Sequence, residues 1–345
     1  MDGERLQQLL ASFPRLRLLV VGDFFLDKYL DIDRRLSEVS LETGLEAYQV
    51  TATRPSPGAA GTVVANLRAL GAQVSVLGVI GDTGEGYELQ RAFAQQGVDM
   101  RHLLVRPDLY TPTYTKPMLR ERDGRVHELE RLDIKNRTPL PGDVENDLLQ
   151  RLQAAVPACD AVLISEYVQE RNCGAITDRI RKALADMGAE RPQQVFIADS
   201  RTRIGEYNNV AIKINRAEAV SALGLPEGAG LNELGAAASA RARQSGRPVF
   251  VTLGEEGILA CDRSGWHHVA SVRTQEPIDP VGAGDSVLAG IACALACGAT
   301  VAEAALVGNL CAAVVIRKLG TTGTASPAEV AERYRVWQEQ RLSAL

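Results

Sequence analysis

The sequence predicts an α/β protein: a sandwich in which a mostly parallel central sheet is covered on both faces by helices, with a small β-sheet set off from it as a lid. Three observations carry this. Short apolar runs, several of them β-branched, recur along the chain as buried strands do. Helical patterns separate most of these runs, which implies right-handed βαβ units around a parallel sheet. Two further stretches break the rhythm and alternate like exposed strands.

The elements follow in order. The opening MDGERLQQLLASFPRLRLLVVGD reads as an amphipathic helix leading into a strand, Leu18 to Val21, that ends at Gly22-Asp23. Ala59 to Leu70 reads as a helix stopped by Gly71. Val74 to Ile80 is a second buried strand, followed by the turn Gly81-Asp82-Thr83-Gly84 and a helix to about Gln96. Ala161 to Ile164, Val195 to Ala198, Val210 to Ile214 and Val249 to Leu253 are further strands. Two Ala-rich helices, about Ala283 to Cys297 and Val301 to Leu319, close the last third. The irregular stretches are Leu45 to Thr53 and Thr111 to Leu132, with Asp123-Gly124 marking a hairpin turn. They place the lid strands at about 29–55 and 110–133 of a single domain spanning 1–345.

Composition narrows the function classes. A formal net charge of -5 argues against a nucleic-acid partner, because no basic surplus exists to neutralise phosphates. No run of 18 apolar residues occurs, so no membrane span is expected. The N-terminus lacks the features of a signal peptide, and a cytoplasmic location is expected by default. The six cysteines (Cys159, Cys173, Cys261, Cys293, Cys297, Cys311) form no CxxC pair and are expected as free thiols. The four histidines show no ligand spacing, so zinc chemistry is not expected.

The strongest chemical signal is Asp279-Pro280-Val281-Gly282-Ala283-Gly284-Asp285-Ser286, entering an apolar helix. Gly282 and Gly284 let the backbone turn so that N–H groups converge at a helix start, which binds an anion. Asp285, in the first turn, is placed to take a proton from a hydroxyl beside that anion. These are the parts phosphoryl transfer needs. The residue types alone leave open a plainer role for Asp285, stabilising a helix start after a glycine turn. A dinucleotide fingerprint fails at Val287, and a Walker loop fails because Gly-Lys-Ser/Thr appears nowhere.

Here the chain resembles the ribokinase-like (PfkB) carbohydrate kinases, from about Leu18 to Pro327. DPVGAGDS is similar to that family's second signature. The resemblance implies that Asp285 is the catalytic base and that Gly282, Ala283 and Gly284 supply the anion hole. It also implies that Asp27, at the end of Gly22-Asp23-Phe24-Phe25-Leu26-Asp27, contacts substrate hydroxyls. Asn215-Arg216-Ala217-Glu218 resembles the NxxE motif that positions Mg²⁺, its waters and the ATP phosphates, with Asn215 and Glu218 acting through water. Alone, that pattern reads equally as a helix cap. Thr252, Gly254 and Gly257 of the VTLGEEG segment, together with Asn309 and Lys318-Leu319-Gly320-Thr321, match the surroundings of the nucleotide. ATP and Mg²⁺ are thus the implied cofactors, with a monovalent cation as a further candidate. A homodimer through the lid rests on the same resemblance.

Within the family the chain is most similar to the kinase domain of heptose-phosphate kinases, through VVGDFFLDKY, VSLETGLEAYQV, TYTKPM, ERLDIK, ISEY and VVIRKLGT. Their fused nucleotidyltransferase domain is expected to be absent. Lys116 and Arg131 are candidate contacts to an anionic sugar. The departures fall on the acceptor side. The first signature normally begins with two glycines and reaches an Asn, and here reads Gly58-Ala59-Ala60-Gly61-Thr62. An alanine at 59 is expected to stiffen the lid hinge or crowd the sugar, and Thr62 loses the amide. SDYxKG becomes Ser165-Glu166-Tyr167-Val168-Gln169-Glu170, which makes Glu166 an acceptor-side candidate. The expected activity is ATP-dependent phosphorylation of a sugar or sugar phosphate. A kinase of another sugar, sugar phosphate or nucleoside, and a nucleotide- or sugar-binding regulator with little turnover, stand as alternatives.

Overall fold

The computed structural model describes residues 1–320 and 322–342. A nine-stranded sheet runs through it in the order 265–269, 258–262, 249–252, 211–215, 195–200, 161–166, 17–22, 73–81, 99–106. From Val249–Thr252 to Asp99–Arg106 neighbouring strands are parallel, and Ile258–Asp262 and Gly265–Val269 add an antiparallel edge. Strand residues such as Leu19, Val20 and Val21 are fully buried, because helices cover both faces. One face carries the helices Ala60–Ala69, Gly84–Gln95, Ala283–Ala296, Val301–Val315 and Pro327–Leu342. The other carries Gly142–Ala155, Asp178–Glu190 and Leu231–Ser245. The result is a three-layer sandwich, as the alternation of runs predicts.

The chain leaves the strand Arg17–Gly22 in one direction and returns to its other side at Ala161–Glu166. This reversal of winding opens a crevice at the carboxyl ends of these two strands, where open α/β sheets bind ligands.

A second sheet, in the order 132–134, 113–120, 24–33, 50–59, stands off the body, with 126–128 paired to 113–120. It is mixed: Phe24–Asp33 pairs parallel with Thr113–Arg120 and antiparallel with Val50–Ala59. The lid therefore begins at Phe24, earlier than the sequence predicts, and Asp27 lies on its first strand. The reason is that Phe24, Phe25 and Leu26 are buried where the lid joins the body, so one strand follows directly on another.

One other boundary differs. The helix from Val301 stops at Val315, and the following turn is tied by the Asp279 amide donating to the Ile316 carbonyl at 2.7 Å. The antiparallel edge strands and the helix Pro327–Leu342 escape the sequence reading. That helix has a reciprocal cap between Ser326 and Glu329, and it buries Val330, Tyr334 and Trp337 at helical spacing.

Ala59 ends the lid strand and starts the helix Ala60–Ala69 with φ 53° and ψ -123°. Glycine enters this region freely and alanine seldom does, so the backbone at the hinge is strained. Such a residue costs about 1–3 kcal/mol, against about 0.5–1 kcal/mol for the extra freedom of an unfolded glycine. Ala59→Gly is therefore expected to leave stability unchanged or raise it by up to about 2 kcal/mol in urea unfolding. A loss of stability would contradict the strained hinge.

Candidate active site

The helix Ala283–Ala296 starts at the crevice with Gly282 in the left-handed region, φ 80°. A side chain there would meet Thr322 Cγ2 at 2.8 Å, so the turn requires glycine. The Ala283 amide donates to the Pro280 carbonyl at 3.1 Å, which corrects its predicted place in the anion hole. The amides of Gly282, Gly284 and Asp285 have no partner among the described residues, and these three are the donors left for an anion. Asp279 braces the turn: its carboxylate accepts from the Val281 amide at 3.1 Å and the Gly320 amide at 3.3 Å.

Asp285 is half-buried beside these amides. Its Oδ1 accepts the hydroxyl proton of Tyr167. Burial pushes its carboxyl up to about 6, and the Tyr167 hydrogen bond works in the opposite direction. The Asp199 charge also raises it, while Lys213 and Arg201 lower it. The arrangement gives a carboxylate that is ionised at neutral pH yet basic enough to accept a proton. Tyr167 occupies the first position after the strand Ala161–Glu166, at the reversal of winding. Its loop is held by Asp23, whose buried carboxylate accepts from the amides of Tyr167 at 2.8 Å, Val168 at 2.9 Å and Ala175 at 2.7 Å.

Beneath the glycine turn lies Lys213, buried and 2.9 Å from Asp199. Burial works against its charge, but Asp199 more than compensates and holds the ammonium above its ordinary pKa. A Cβ at Gly284 would stand 3.3 Å from Lys213 Nζ, so this ammonium underlies the anion hole. Tyr167, Asp23, Asp199 and Lys213 all escape the sequence reading. A lysine inside the apolar run AIKIN was the one visible signal, since a buried lysine needs a partner.

The NxxE segment forms a reciprocal helix cap. Asn215 Oδ1 accepts from the Glu218 amide at 2.9 Å, and Glu218 Oε2 accepts from the Asn215 amide at 2.8 Å. The second Glu218 oxygen has no partner among the described residues, and burial raises its carboxyl above the usual range. The capping and ligand readings are thus compatible. Arg216 is engaged by Glu256 at 2.6 Å, and Ala217 follows it in the same short helix. Thr252 Oγ1 donates to the Ile214 carbonyl at 3.3 Å, and Gly254 and Gly257 form the adjoining turn with φ 62° and 102°. Asn309 is buried, and its side-chain nitrogen donates to the carbonyls of Val269 at 2.8 Å and Ala270 at 3.3 Å. Thr321 lies outside the described residues.

On the lid, Asp27 Oδ1 lies 3.1 Å from Lys116 Nζ, which also meets the Tyr29 hydroxyl at 3.2 Å. A Cβ at position 58 would stand 2.6 Å from Asp27 Oδ2, so Gly58 lets the carboxylate lie against the backbone. Arg131 forks onto Asp133 at 2.7 and 2.9 Å and lies 4.0 Å from the Tyr114 ring centroid. Thr62 is buried, with its methyl 3.5 Å from where a Cβ at Gly282 would stand. The residue that replaces the amide therefore abuts the anion hole directly.

Glu166 is the clearest departure. Its carboxylate accepts from Arg181 at 2.8 Å, Arg203 at 2.7 Å, Ser200 at 2.6 Å and Tyr207 at 3.0 Å, and the residue is 2% exposed. Side chains alternate along a strand, so Glu166 points into the layer beneath the sheet and not into the crevice. It is the centre of a buried ion-pair cluster.

Residues 20–329 match the pfkB family of carbohydrate kinases. The chain belongs to that family. It is accordingly an ATP-dependent carbohydrate kinase. Curated relatives include the bifunctional protein HldE of Trichlorobacter lovleyi, 33% identical over 96% of this chain, and that of Geobacter metallireducens, 31% identical over 96%. The chain spans 65% of the length of each. Among solved structures, phosphofructokinase-2 of Escherichia coli in complex with potassium superposes with a TM-score of 0.70 at 17% identity, covering 94% of this chain and 99% of that one. Arabidopsis thaliana ribokinase complexed with ribose and ATP gives 0.62 at 17% identity, covering 94% and 98%. These likenesses establish the ribokinase-like fold.

Two outcomes follow from this geometry. Glu166→Ala is expected to cost about 3–5 kcal/mol in chemical unfolding, because it leaves buried guanidinium groups uncompensated. At temperatures where the variant stays folded, acceptor KM should stay unchanged, and a selective KM effect would return Glu166 to the acceptor site. Tyr167→Phe removes a hydrogen bond that favours ionised Asp285, so the acid limb of kcat/KM should move upward from about pH 6. An unmoved limb would show that the hydroxyl does not tune the base.

Proposed function

We propose that this kinase transfers the γ-phosphoryl group of ATP to a hydroxyl of a sugar phosphate, with D-glycero-D-manno-heptose 7-phosphate as the favoured acceptor. The observation that carries the reaction is Asp285: a carboxyl of raised pKa beside three free amides, oriented by a phenol. Asp285 takes the acceptor proton as the new O–P bond forms and the bond from the γ-phosphorus to the ADP oxygen breaks. The proton stays on its carboxyl until it is released to solvent. The Gly282, Gly284 and Asp285 amides and the Lys213 ammonium stabilise the charge on the moving phosphoryl group.

The donor set fits MgATP. Glu218 keeps one oxygen free beside the Asp199–Lys213 pair. Among the described residues no three His, Cys, Asp or Glu side chains form a metal cage. Mg²⁺ arriving on ATP keeps several waters and needs only one or two carboxylates. Bound there, it would neutralise charge between the β- and γ-phosphates. Asp27, held by Lys116, is suited to accept hydrogen bonds from sugar hydroxyls. The heptose preference is supported by the segments VVGDFFLDKY, TYTKPM, ERLDIK and VVIRKLGT and by the relatives named HldE.

ATP consumption across a panel of heptose, hexose and pentose phosphates tests the acceptor, and the heptose phosphate should show the highest kcat/KM. Asp285→Asn should retain ATP binding while losing about 10²–10⁴ in kcat. Wild-type turnover by that variant would remove Asp285 from the mechanism. A silent panel combined with tight sugar binding would favour a regulator over a kinase.

A further inference from the structure

One arginine of the buried ion-pair cluster reaches from Glu166 to the turn that carries Tyr167. Glu166 and Ser200 end the neighbouring parallel strands Ala161–Glu166 and Val195–Ser200, in register with each other. The Ser200 hydroxyl donates to Glu166 at 2.6 Å and accepts the Arg203 amide at 3.0 Å, which brings Arg203 back toward Glu166. The Arg203 side chain is 9% exposed. Its Nε donates to Glu166 at 2.7 Å, and its terminal nitrogens donate to the carbonyls of Gln169 at 2.7 Å and Val168 at 2.6 Å. All three nitrogens of one guanidinium are thus spent on the residues that flank Tyr167.

The turn is held from two sides. Asp23 accepts from the amides of Tyr167 and Val168, and Arg203 donates to the carbonyls of Val168 and Gln169. Gln169 stands where the SDYxKG pattern has its lysine, and the cation on this stretch comes from the neighbouring strand end. A planar guanidinium holds a carboxylate and two carbonyls in fixed directions, which an ammonium on a flexible stem does not. Arg181 and Tyr207 hold Glu166 in turn, at 2.8 and 3.0 Å, so the anchor of the guanidinium is itself fixed.

We infer that Arg203 is a positioning residue of the reaction: anchored on Glu166, it clamps the turn so that the Tyr167 hydroxyl meets Asp285. This rests on the reading of Asp285 as the base and deepens it. It also gives the Glu166 cluster a part in activity, exerted through the turn and not through contact with the acceptor.

The test compares wild type, Arg203→Lys, Tyr167→Phe, the double variant and Tyr207→Phe. Arg203→Lys keeps a positive charge beside Glu166 and removes the fork, and Arg203→Gln is run beside it as a second variant. Urea unfolding midpoints check the fold. Tyr207→Phe takes a hydrogen bond from the same carboxylate without touching the turn, and so controls for lost stability alone. Hydrogen exchange of the segment 166–171 is measured by mass spectrometry, and kcat is measured against pH with the best acceptor of the panel. Asp285 is faced by Tyr167, by Asp199 and Arg201 at the end of the strand Val195–Ser200, and by Lys213 on the strand Ala211–Asn215. All four remain in Arg203→Lys, so a moved acid limb reports on the turn.

The expected result is faster exchange of the segment and a loss of about tenfold to a hundredfold in kcat. The KM of ATP should change less than about twofold, and the acid limb should move upward, as in Tyr167→Phe. In the Tyr167→Phe background Arg203→Lys should cost less than about twofold further, because both changes act through one phenol. Unchanged exchange, full additivity in the double variant, or an equal kcat loss in Tyr207→Phe would overturn the clamp. So would a wild-type kcat and acid limb in the Arg203 variants while Tyr167→Phe is impaired. If Tyr167→Phe itself matched wild type, the role of the phenol would fail and the clamp's part in catalysis with it. Should the wild type phosphorylate no sugar of the panel while Arg203→Lys speeds exchange, the acceptor assignment fails and the clamp stands.

Discussion

The site depends first on a buried carboxylate. Asp23 stands at the end of the strand Arg17–Gly22 and gathers the amides of Tyr167, Val168 and Ala175. Burial pushes its carboxyl up to about 6 in spite of these three bonds, so it is an expensive group to place there. It joins the two strands that flank the reversal of winding and fixes the loop from which Tyr167 reaches Asp285. The surroundings are built to that measure: a Cβ at Gly174 would stand 2.4 Å from Asp23 Oδ1, and one at Gly22 would stand 2.2 Å from the Ser165 carbonyl.

The charges of the crevice show a consistent division. Three carboxylates around it are matched to cations: Glu166 to Arg181 and Arg203, Asp199 to Lys213, and Asp27 to Lys116. Asp285 is matched to a neutral phenol. An ion pair at its place would hold the carboxyl low and make it a poor base, whereas a phenol orients it while burial keeps its affinity for protons.

The lid supplies the other half of the crevice, and it attaches through a strained residue. Ala59 adopts a glycine-like conformation between the lid strand and the helix that carries Thr62, whose methyl lies against the anion hole. The two departures from the family signature thus sit at one junction, between the lid strand and the glycine turn.

How much of this was legible in the sequence follows from the range of each interaction. The parallel sheet, the helices on its faces, the glycine turn and the candidacy of Asp285 are properties of contiguous residues: apolar periodicity, positive-φ requirements and a carboxylate in a first helical turn. These were determined by the sequence alone, as was the anomaly of Gly58-Ala59-Ala60-Gly61-Thr62. The tertiary structure decided the rest because those contacts join residues far apart in the chain. Tyr167 meets Asp285 across 118 positions and Asp23 meets Ala175 across 152. Glu166 and Tyr167 are adjacent in the chain, yet one joins the ion pairs with Arg181 and Arg203 and the other reaches Asp285. Likewise, Asn309 and the Ala283 amide looked available but are occupied by carbonyls, since buried polar groups take whichever partner the packing brings to them.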